Sequence, residues 1–207
     1  MNRALPRILV ITDPAYPPEI IVAQLRQALG AAASGTLAVQ VRDRGRRPEA
    51  LARELRALTR AHGAMLLVNR DVALAVEIGA DGVHFGGDPI DPSARAALGR
   101  AAFLTVAAHT DDDVRAAISS GADAALVSPI FETPGKGSPR GANAIVRARA
   151  VAPSMPIYAL GGVDASNVAA CLAAGANGVA VIRAILGAAD AGAAARALDA
   201  SFGHPVD

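Results

Sequence analysis

The sequence has one cysteine, no tryptophan and few aromatic side chains, which make up 3% of its 207 residues. A single cysteine excludes an internal disulfide, and the apolar neighbours of Cys171 indicate a buried thiol in a reducing cytoplasmic setting. A core without tryptophan has to pack small aliphatic side chains. Ala, Val, Leu and Ile supply most of the 52% hydrophobic content.

The sequence also lacks an excess of either charge and lacks long apolar runs. Lys and Arg number 20 against 19 Asp and Glu. This balance argues against a basic nucleic-acid surface or a polybasic membrane patch. No apolar run approaches the roughly 18 residues of a membrane span, and the stretch 8–11 is too short for a signal peptide. We therefore expect no nucleic-acid partner, no membrane association and a cytoplasmic protein.

Short apolar runs alternate with amphipathic segments along the whole chain. Near-continuous apolar character is typical of strands buried on both faces. The runs lie at 8–11, 37–41, 65–68, 82–85, 103–107, 124–127, 156–160 and 178–182. The pattern predicts one domain over residues 1–207, a single (β/α)8 TIM barrel of the α/β class. We place its core at about 8–186 and a C-terminal helical segment at about 190–203. A doubly wound open sheet is the alternative that periodicity leaves open.

Three predicted helices end with a similar signature before the next strand. Gly-Ala followed by Asp or Asn occurs at 79–81, 121–123 and 175–177. A glycine that adopts the left-handed conformation ends a helix and lets a strand follow at once. The signature predicts short turns at the amino ends of three strands.

In a barrel, function lies on the loops that follow the carboxyl ends of the strands. Two features there indicate phosphate binding. Gly161-Gly162 and the segment leading to Arg183 follow strands seven and eight, where backbone amides and a helix N-terminus bind phosphate in many barrels. Cations also cluster at strand ends, at Arg42, Arg44, Arg70 and Lys136. Each of these features is also compatible with an ordinary turn or a solvated loop.

Other kinds of chemistry have little support in the sequence. His84 and His109 are isolated and lack the spacing of a metal site, and a structural role is expected for His84 inside its apolar strand. There is no His/Cys cluster for zinc and no nucleophile elbow. What remains is anion binding by backbone amides and cations.

Several ordered segments resemble one known family. They are Leu9 to Asp13, Val39 to Arg44, Leu67 to Asn69, Gly79 to Gly86, Ser128 to Phe131 with Thr133 and Lys136, Ala159 to Val163 and Gly175 to Ile185. Their order over roughly residues 8 to 186 is similar to that in the thiamine phosphate synthase and TenI family, whose fold is a (β/α)8 barrel.

The resemblance implies a reaction and a set of site residues. The synthase joins hydroxymethylpyrimidine diphosphate to thiazole phosphate and releases pyrophosphate with the assistance of Mg²⁺. The implied partners are phosphorylated small molecules, and a homodimer is compatible with the sequence. Carried over by position, the implied catalytic residues are Lys136, Arg42 and Thr133. Arg42 would hold the diphosphate, and Thr133 and Lys136 would bridge the two phosphorylated substrates. The implied substrate-binding residues are Gln40, Arg42, Arg44, Asn69, Arg70, Thr133, Lys136, Gly161, Gly162, Ile182 and Arg183.

The sequence departs from the synthase pattern at the implied metal ligands. That pattern has an acidic residue directly after the asparagine, where this chain has Arg70, with Asp71 one residue later. Asp88, the second implied ligand, comes one residue early. Further departures place Ala107 and Gly135 where the family has hydroxyl side chains, and Arg44 where it has a lysine. We predict that Asp71 and Asp88 are the candidate Mg²⁺ ligands.

The segment Phe131-Glu132-Thr133 also resembles the tautomerase branch of the family. That branch implies a histidine just before this segment as the acid–base group, and this chain has Pro129 there. A tautomerase and a non-catalytic protein that binds a thiazole or thiamine phosphate therefore stay as alternatives to the synthase.

Overall fold

The structure, a computed structural model, describes residues 5–43, 47–87 and 90–203. Its parallel strands form a closed barrel in chain order. Their bounds are β1 Ile8–Ile11, β2 Leu37–Val41, β3 Met65–Asn69, β4 Gly82–Phe85, β5 Phe103–Ala108, β6 Ala124–Val127, β7 Ile157–Leu160 and β8 Gly178–Val181. Pairing of β8 with β1, Val181 opposite Val10, closes the ring. The predicted TIM barrel is confirmed, and the open sheet is excluded.

Helices alternate with the strands and cover the outside of the barrel. They are α1 Pro18–Ala31, α2 Glu49–Ala61, α3 Val72–Ile78, α4 Pro92–Leu98, α5 Asp111–Ser119, α6 Asn143–Val151, α7 Val168–Ala173, α8 Arg183–Leu186 and α9 Ala191–Ala200. Local sequence determines several of the starts. Thr110 and Asp113, for example, form a reciprocal capping box at α5. None of the described helices has the length and apolar character needed to cross a membrane.

The inside of the barrel changes from apolar to polar towards the carboxyl ends of the strands. Alternate residues of each strand point inward. A buried cluster inside the barrel includes Leu9, Leu67, Phe103, Leu126 and Tyr158. Further along the strands, the inward positions are occupied by Gln40, Asn69, His84 and Thr105, and three of these four are buried. The apolar layers close the barrel from below and leave a polar floor above.

Three arginines bind the predicted Gly-Ala-Asp/Asn turns at the amino ends of the strands. Arg56 of α2, Arg95 of α4 and Arg149 of α6 donate to the side chains of Asp81, Asp123 and Asn177 respectively. Each acceptor side chain also receives a strand N–H, from Leu66, Leu104 and Ile157. The glycines of these turns have positive φ, as the sequence predicts. We call these three groups the basal arginine clamps.

The C-terminal helix packs on the outside of the barrel against α1. Ala191, Gly192, Ala195 and Leu198 of α9 are buried. The N–H of Ala191 donates to Gln27 Oε1, and Gln24 Nε2 donates to the carbonyl groups of Leu186 and Ala188. The predicted C-terminal segment is therefore helical and belongs to the helical layer around the barrel.

Candidate active site

A cavity of about 940 Å³ opens at the carboxyl ends of the strands. It collects every predicted substrate-binding residue that the structure describes. These residues are Gln40, Arg42, Asn69, Arg70, Thr133, Lys136, Gly161, Gly162, Ile182 and Arg183. Arg44 and Asp88 lie outside the described residues. The folding of the chain thus brings residues from five strand ends to one cavity.

Arg42 is held at the cavity wall by the end of β1. The backbone N–H of Arg42 donates to Thr12 Oγ1 at 2.8 Å, and the Thr12 hydroxyl donates to the Arg42 carbonyl oxygen at 2.9 Å. The Arg42 guanidinium lies 3.2 Å from Asp13 Oδ2, and both side chains are 20% exposed. Thr12 and Asp13 therefore fix the position of this cation.

Gln40 and Asn69 form the polar floor of the cavity. Gln40 is 1% exposed, and its Nε2 donates to Asn69 Oδ1 at 3.2 Å. The other amide atom, Gln40 Oε1, is buried without a hydrogen-bond partner in the described part of the chain. A buried acceptor without a partner is costly. This oxygen is therefore suited to accept a hydrogen bond from a ligand N–H.

His84 is buried at the cavity floor and is uncharged at neutral pH. Its Nδ1 lies 2.9 Å from Thr105 Oγ1, and its side chain is buried. Burial, reinforced by the positive charges of Arg42 and Arg70, lowers the pKa of His84 to about 4. The predicted structural, hydrogen-bonded histidine is confirmed, and it also lines the cavity floor.

The loop after β6 forms one side of the cavity and rests on the loop after β7. The N–H groups of Ile130 and Phe131 donate to the carbonyl oxygens of Leu160 and Gly161, both at 2.9 Å. Gly162 has a φ of 65°, and a Cβ there would lie 2.6 Å from the carbonyl oxygen of Glu132. Gly162 is thus needed for the close approach of the two loops, in addition to its predicted role in phosphate binding.

Thr133 and Lys136 lie on the exposed outer part of this loop. The N–H of Lys136 donates to the Thr133 carbonyl oxygen at 3.0 Å, and the Thr133 hydroxyl donates to the Phe131 carbonyl. Two strands further around the barrel, Ile182 and Arg183 begin the short helix α8. The first N–H groups of a helix have no acceptor within the helix. The cavity is thus lined both by cations and by the backbone at a helix start.

Asp71 is the one predicted magnesium ligand that the structure describes, and its side chain is bound elsewhere. Asp71 is the N-cap of α3, where it accepts from the N–H of Leu74 at 2.8 Å, and it pairs with Arg47 at 3.4 Å. It does not line the cavity, whereas its neighbour Arg70 does. The described chain has no group of three or more His, Cys, Asp or Glu residues that could hold a metal ion. The donor set at the end of β3 therefore does not fit Mg²⁺.

Thr12, Asp13 and His109 are not among the site residues predicted from the sequence. His109 lines the cavity, and its Nδ1 lies 3.0 Å from the Ser128 carbonyl oxygen. Each of the three residues lies within two positions of the end of an apolar run, and this position was a usable signal. Cys171 behaves as expected, since it is buried and burial raises its pKa to about 11.

The chain is similar in sequence to proteins of one known family. The family described as thiamine monophosphate synthase matches residues 8–185. The chain is 45% identical over 178 residues to the thiamine-phosphate synthase of Moorella thermoacetica, which covers 82% of this chain and 83% of that protein. It is 40% identical over 200 residues to the thiamine biosynthesis bifunctional protein ThiM/ThiE of Symbiobacterium thermophilum. That match covers 92% of this chain but 40% of the length of the bifunctional protein.

A solved structure agrees with these sequence relatives. The thiamine phosphate pyrophosphorylase from Pyrococcus furiosus superimposes with a TM-score of 0.81 at 27% identity, and the match covers 94% of each chain. The family match extends from β1 to α8 and includes every strand end that contributes to the cavity. The chain belongs to the thiamine monophosphate synthase family.

Proposed function

We propose that the protein is a thiamine phosphate synthase. In this reaction the diphosphate of hydroxymethylpyrimidine diphosphate is displaced by the ring nitrogen of thiazole phosphate. A C–O bond breaks, a C–N bond forms, and the electron pair of the broken bond leaves with pyrophosphate. The products are thiamine phosphate and pyrophosphate. The step transfers no proton between protein and substrate, which agrees with a cavity that is rich in cations.

The observation that carries this proposal is the convergence of four cationic side chains on one cavity. Arg42, Arg70, Lys136 and Arg183 come from four different strand ends and all line it. Negative charge develops on the bridging oxygen as the C–O bond breaks. Preorganised cations in a partly closed site stabilise such charge strongly. We assign this role to Lys136 and Arg42. The Thr133 hydroxyl, which donates to the Phe131 carbonyl in the free protein, would turn to donate to the same phosphate group.

The floor of the cavity supports a role in orienting the pyrimidine. Gln40 Oε1 is a buried acceptor without a partner in the described chain, next to Asn69. An aminopyrimidine offers an N–H donor that satisfies such an acceptor. We propose that Gln40 and Asn69 orient the ring so that its methylene carbon faces the incoming nitrogen.

We place the phosphate of the second substrate at the ends of β7 and β8. Gly161 and Gly162 line this part of the cavity together with Ile182 and Arg183. Backbone N–H groups at a helix start and a nearby guanidinium are a suitable donor set for phosphate. This placement leaves the two phosphorylated ends on opposite sides of the reacting atoms.

A second candidate function, thiazole tautomerisation, is favoured by His109. Pro129 removes the implied acid–base group, but the structure places the His109 ring beside Ser128, the residue before that proline. If Nδ1 carries the proton and donates to the Ser128 carbonyl, Nε2 is left as a base. Incubation with the thiazole carboxylate phosphate alone tests this candidate. Isomerisation that is lost in His109→Gln would support it, whereas the absence of isomerisation by the unmodified protein would exclude it.

The synthase activity is tested directly by incubation with both substrates. We expect thiamine phosphate and pyrophosphate in equal amounts, and a loss of both in Lys136→Ala. Arg140→Ala is the matched control, because Arg140 lies on the same loop, pairs with Asp111 and does not line the cavity. Thermal stabilisation by thiazole phosphate without any product would instead identify a non-catalytic binding protein.

Two further aspects remain proposals. We propose a cytoplasmic location, since the single cysteine is a buried free thiol. Magnesium dependence also remains a prediction. A diphosphate binds Mg²⁺ through its own oxygens and needs few protein ligands, but the described carboxylates give no support for a dedicated site.

A further inference from the structure

Three consecutive residues at the end of β3 point their side chains to different places. Asn69 accepts from Gln40 inside the barrel, and Asp71 turns away to cap α3 and to pair with Arg47. Arg70, between them, lines the cavity. Of the two adjacent charged residues, the cation is therefore the one that lines the cavity.

The backbone of Arg70 holds this arrangement in an uncommon conformation. Its φ is 63°, in the left-handed region that residues other than glycine rarely adopt. The N–H of Arg70 donates to the His84 carbonyl at 2.8 Å, which extends the pairing of β3 with β4. Such conformations occur most often at functional sites, where the surrounding structure maintains them.

Gly86 provides the space for the Arg70 guanidinium. A Cβ built on Gly86 would lie 1.8 Å from Arg70 Nη2 and 2.7 Å from its Cζ. The guanidinium therefore packs directly on the Gly86 backbone, across the ends of β3 and β4. A larger residue at position 86 would displace it. The position of the cation thus depends on two specific features, the left-handed turn and the missing side chain.

The charge of Arg70 acts on the same part of the cavity as the charge of Arg42. Both arginines lower the pKa of His84, which burial already lowers. The two guanidinium groups and the neutral His84 ring line one cavity, which makes this part of it a positive patch. A diphosphate carries several negative charges and matches such a patch, because guanidinium groups bind phosphate oxygens in bidentate fashion.

We propose that Arg70 binds the diphosphate directly and takes the place of a divalent cation held by a carboxylate at the end of β3. The proposal rests on the proposed function, because it concerns how the diphosphate substrate is held. In the synthase pattern an acidic residue follows the asparagine, and here Arg70 brings the positive charge itself. Binding of the diphosphate group at this site therefore does not require Mg²⁺.

The test uses inorganic pyrophosphate as the probe and calorimetry as the readout. The unmodified protein should bind pyrophosphate in EDTA with an affinity within about tenfold of that in Mg²⁺. Arg70→Gly is the best variant, since glycine adopts the left-handed conformation without strain and the variant should fold. It should bind pyrophosphate at least about tenfold more weakly in EDTA, because one charge-assisted contact is lost. Arg140→Ala should bind like the unmodified protein.

A charge reversal sharpens the test. Arg70→Asp restores an acidic residue after Asn69 and should bind pyrophosphate only when Mg²⁺ is present. The proposal is overturned if the unmodified protein binds pyrophosphate only with Mg²⁺, or if Arg70→Gly binds it equally well in EDTA. Either result together with normal product formation would leave the synthase activity intact. Metal-independent binding without product formation would instead contradict the synthase activity.

Discussion

Arg42 and Arg56 each pair with an aspartate, but at opposite ends of the barrel. Arg56 lies 2.6 Å from Asp81, and both side chains are 13% exposed. Asp81 also accepts the N–H of Leu66, so the pair joins a helix to the start of a strand. Arg42 lies 3.2 Å from Asp13 at the wall of the cavity.

The two arginines differ in the other groups that surround them. The arginines of the basal clamps donate to backbone carbonyl groups and to the Asp or Asn side chains of the turns. Arg95, for example, donates to the carbonyl oxygens of Ala102 and Gly121 and to the Asp123 side chain. At the mouth, Arg42, Arg70, Lys136 and Arg183 face a cavity. The cations at the amino ends of the strands thus bond to the fold itself, whereas those at the carboxyl ends line the cavity, where we propose that they bind substrate.

The largest effect is expected at Lys136. Removal of one preorganised charged donor from a developing anion costs about 10²–10³-fold in rate. We expect Lys136→Ala to lower kcat/KM by that factor and to leave the Tm unchanged, because the side chain is exposed. Steady-state kinetics and thermal unfolding measure the two quantities. A large drop in Tm with normal kinetics would contradict the proposed difference between cations at the carboxyl ends of the strands and cations at the amino ends.

The opposite result is expected for a basal clamp. Arg56→Ala removes the Arg56 guanidinium from the largely buried Asp81 carboxylate, and we expect a loss of about 3 kcal/mol in the free energy of unfolding. Arg95→Ala should cost less, since its salt bridge with Asp123 is more exposed. Urea unfolding measures both losses. The KM values for both substrates should match those of the unmodified protein, and raised KM values would contradict the assignment.

A smaller, pH-dependent effect is expected from His84 at the cavity floor. Its pKa is lowered to about 4 in the folded protein, against about 6.5 when unfolded. The unfolded chain therefore binds the proton more readily between these values, and stability falls as the pH falls through this window. We expect this residue to contribute a loss of about 1 kcal/mol between pH 7 and pH 5.5. Urea unfolding of His84→Asn should show a correspondingly smaller loss over this interval, and an identical loss would refute the assignment.

The smallest effect is expected on the outer surface, away from both ends. Arg115 and Asp112 form an ion pair on α5, with side chains that are 61% and 89% exposed. Exposed pairs at this spacing contribute less than about 0.5 kcal/mol. Arg115→Ala should therefore change neither the urea midpoint nor kcat/KM. A clear change in either would show that position on the barrel does not determine what an arginine does here.

The fold could be predicted from the sequence because its signals are local. Apolar runs marked the strands to within one residue at either end, and the Gly-Ala-Asp/Asn turns marked three strand starts. The basal arginine clamps were missed, since each joins a helix to a turn 25 or 28 residues away along the chain. The Asp or Asn that follows Gly-Ala in all three turns indicated a side chain able to accept a hydrogen bond from an arginine.

The sequence predicted which strand ends carry the site, but it did not predict where each side chain points. Residues at the carboxyl ends of the strands meet at one end of a barrel, and the described candidate substrate-binding residues all line the cavity there. The sequence could not show that Asp71 caps α3 while Arg70 faces the cavity, because a single left-handed residue decides it. It also could not show that Gln40 and Asn69 share one hydrogen bond across neighbouring strands.

The central claim is that arginines at the carboxyl ends of the strands bind substrate, whereas those at the amino ends stabilise the fold. Calorimetric titration of Arg42→Ala and Arg56→Ala with hydroxymethylpyrimidine diphosphate, at a temperature where both variants are folded, tests it most directly. Both variants lose an arginine that is paired with an aspartate. We expect Arg42→Ala to bind the diphosphate at least about tenfold more weakly and Arg56→Ala to bind it like the unmodified protein. Equal losses in the two variants, or unchanged binding by Arg42→Ala, would contradict the account.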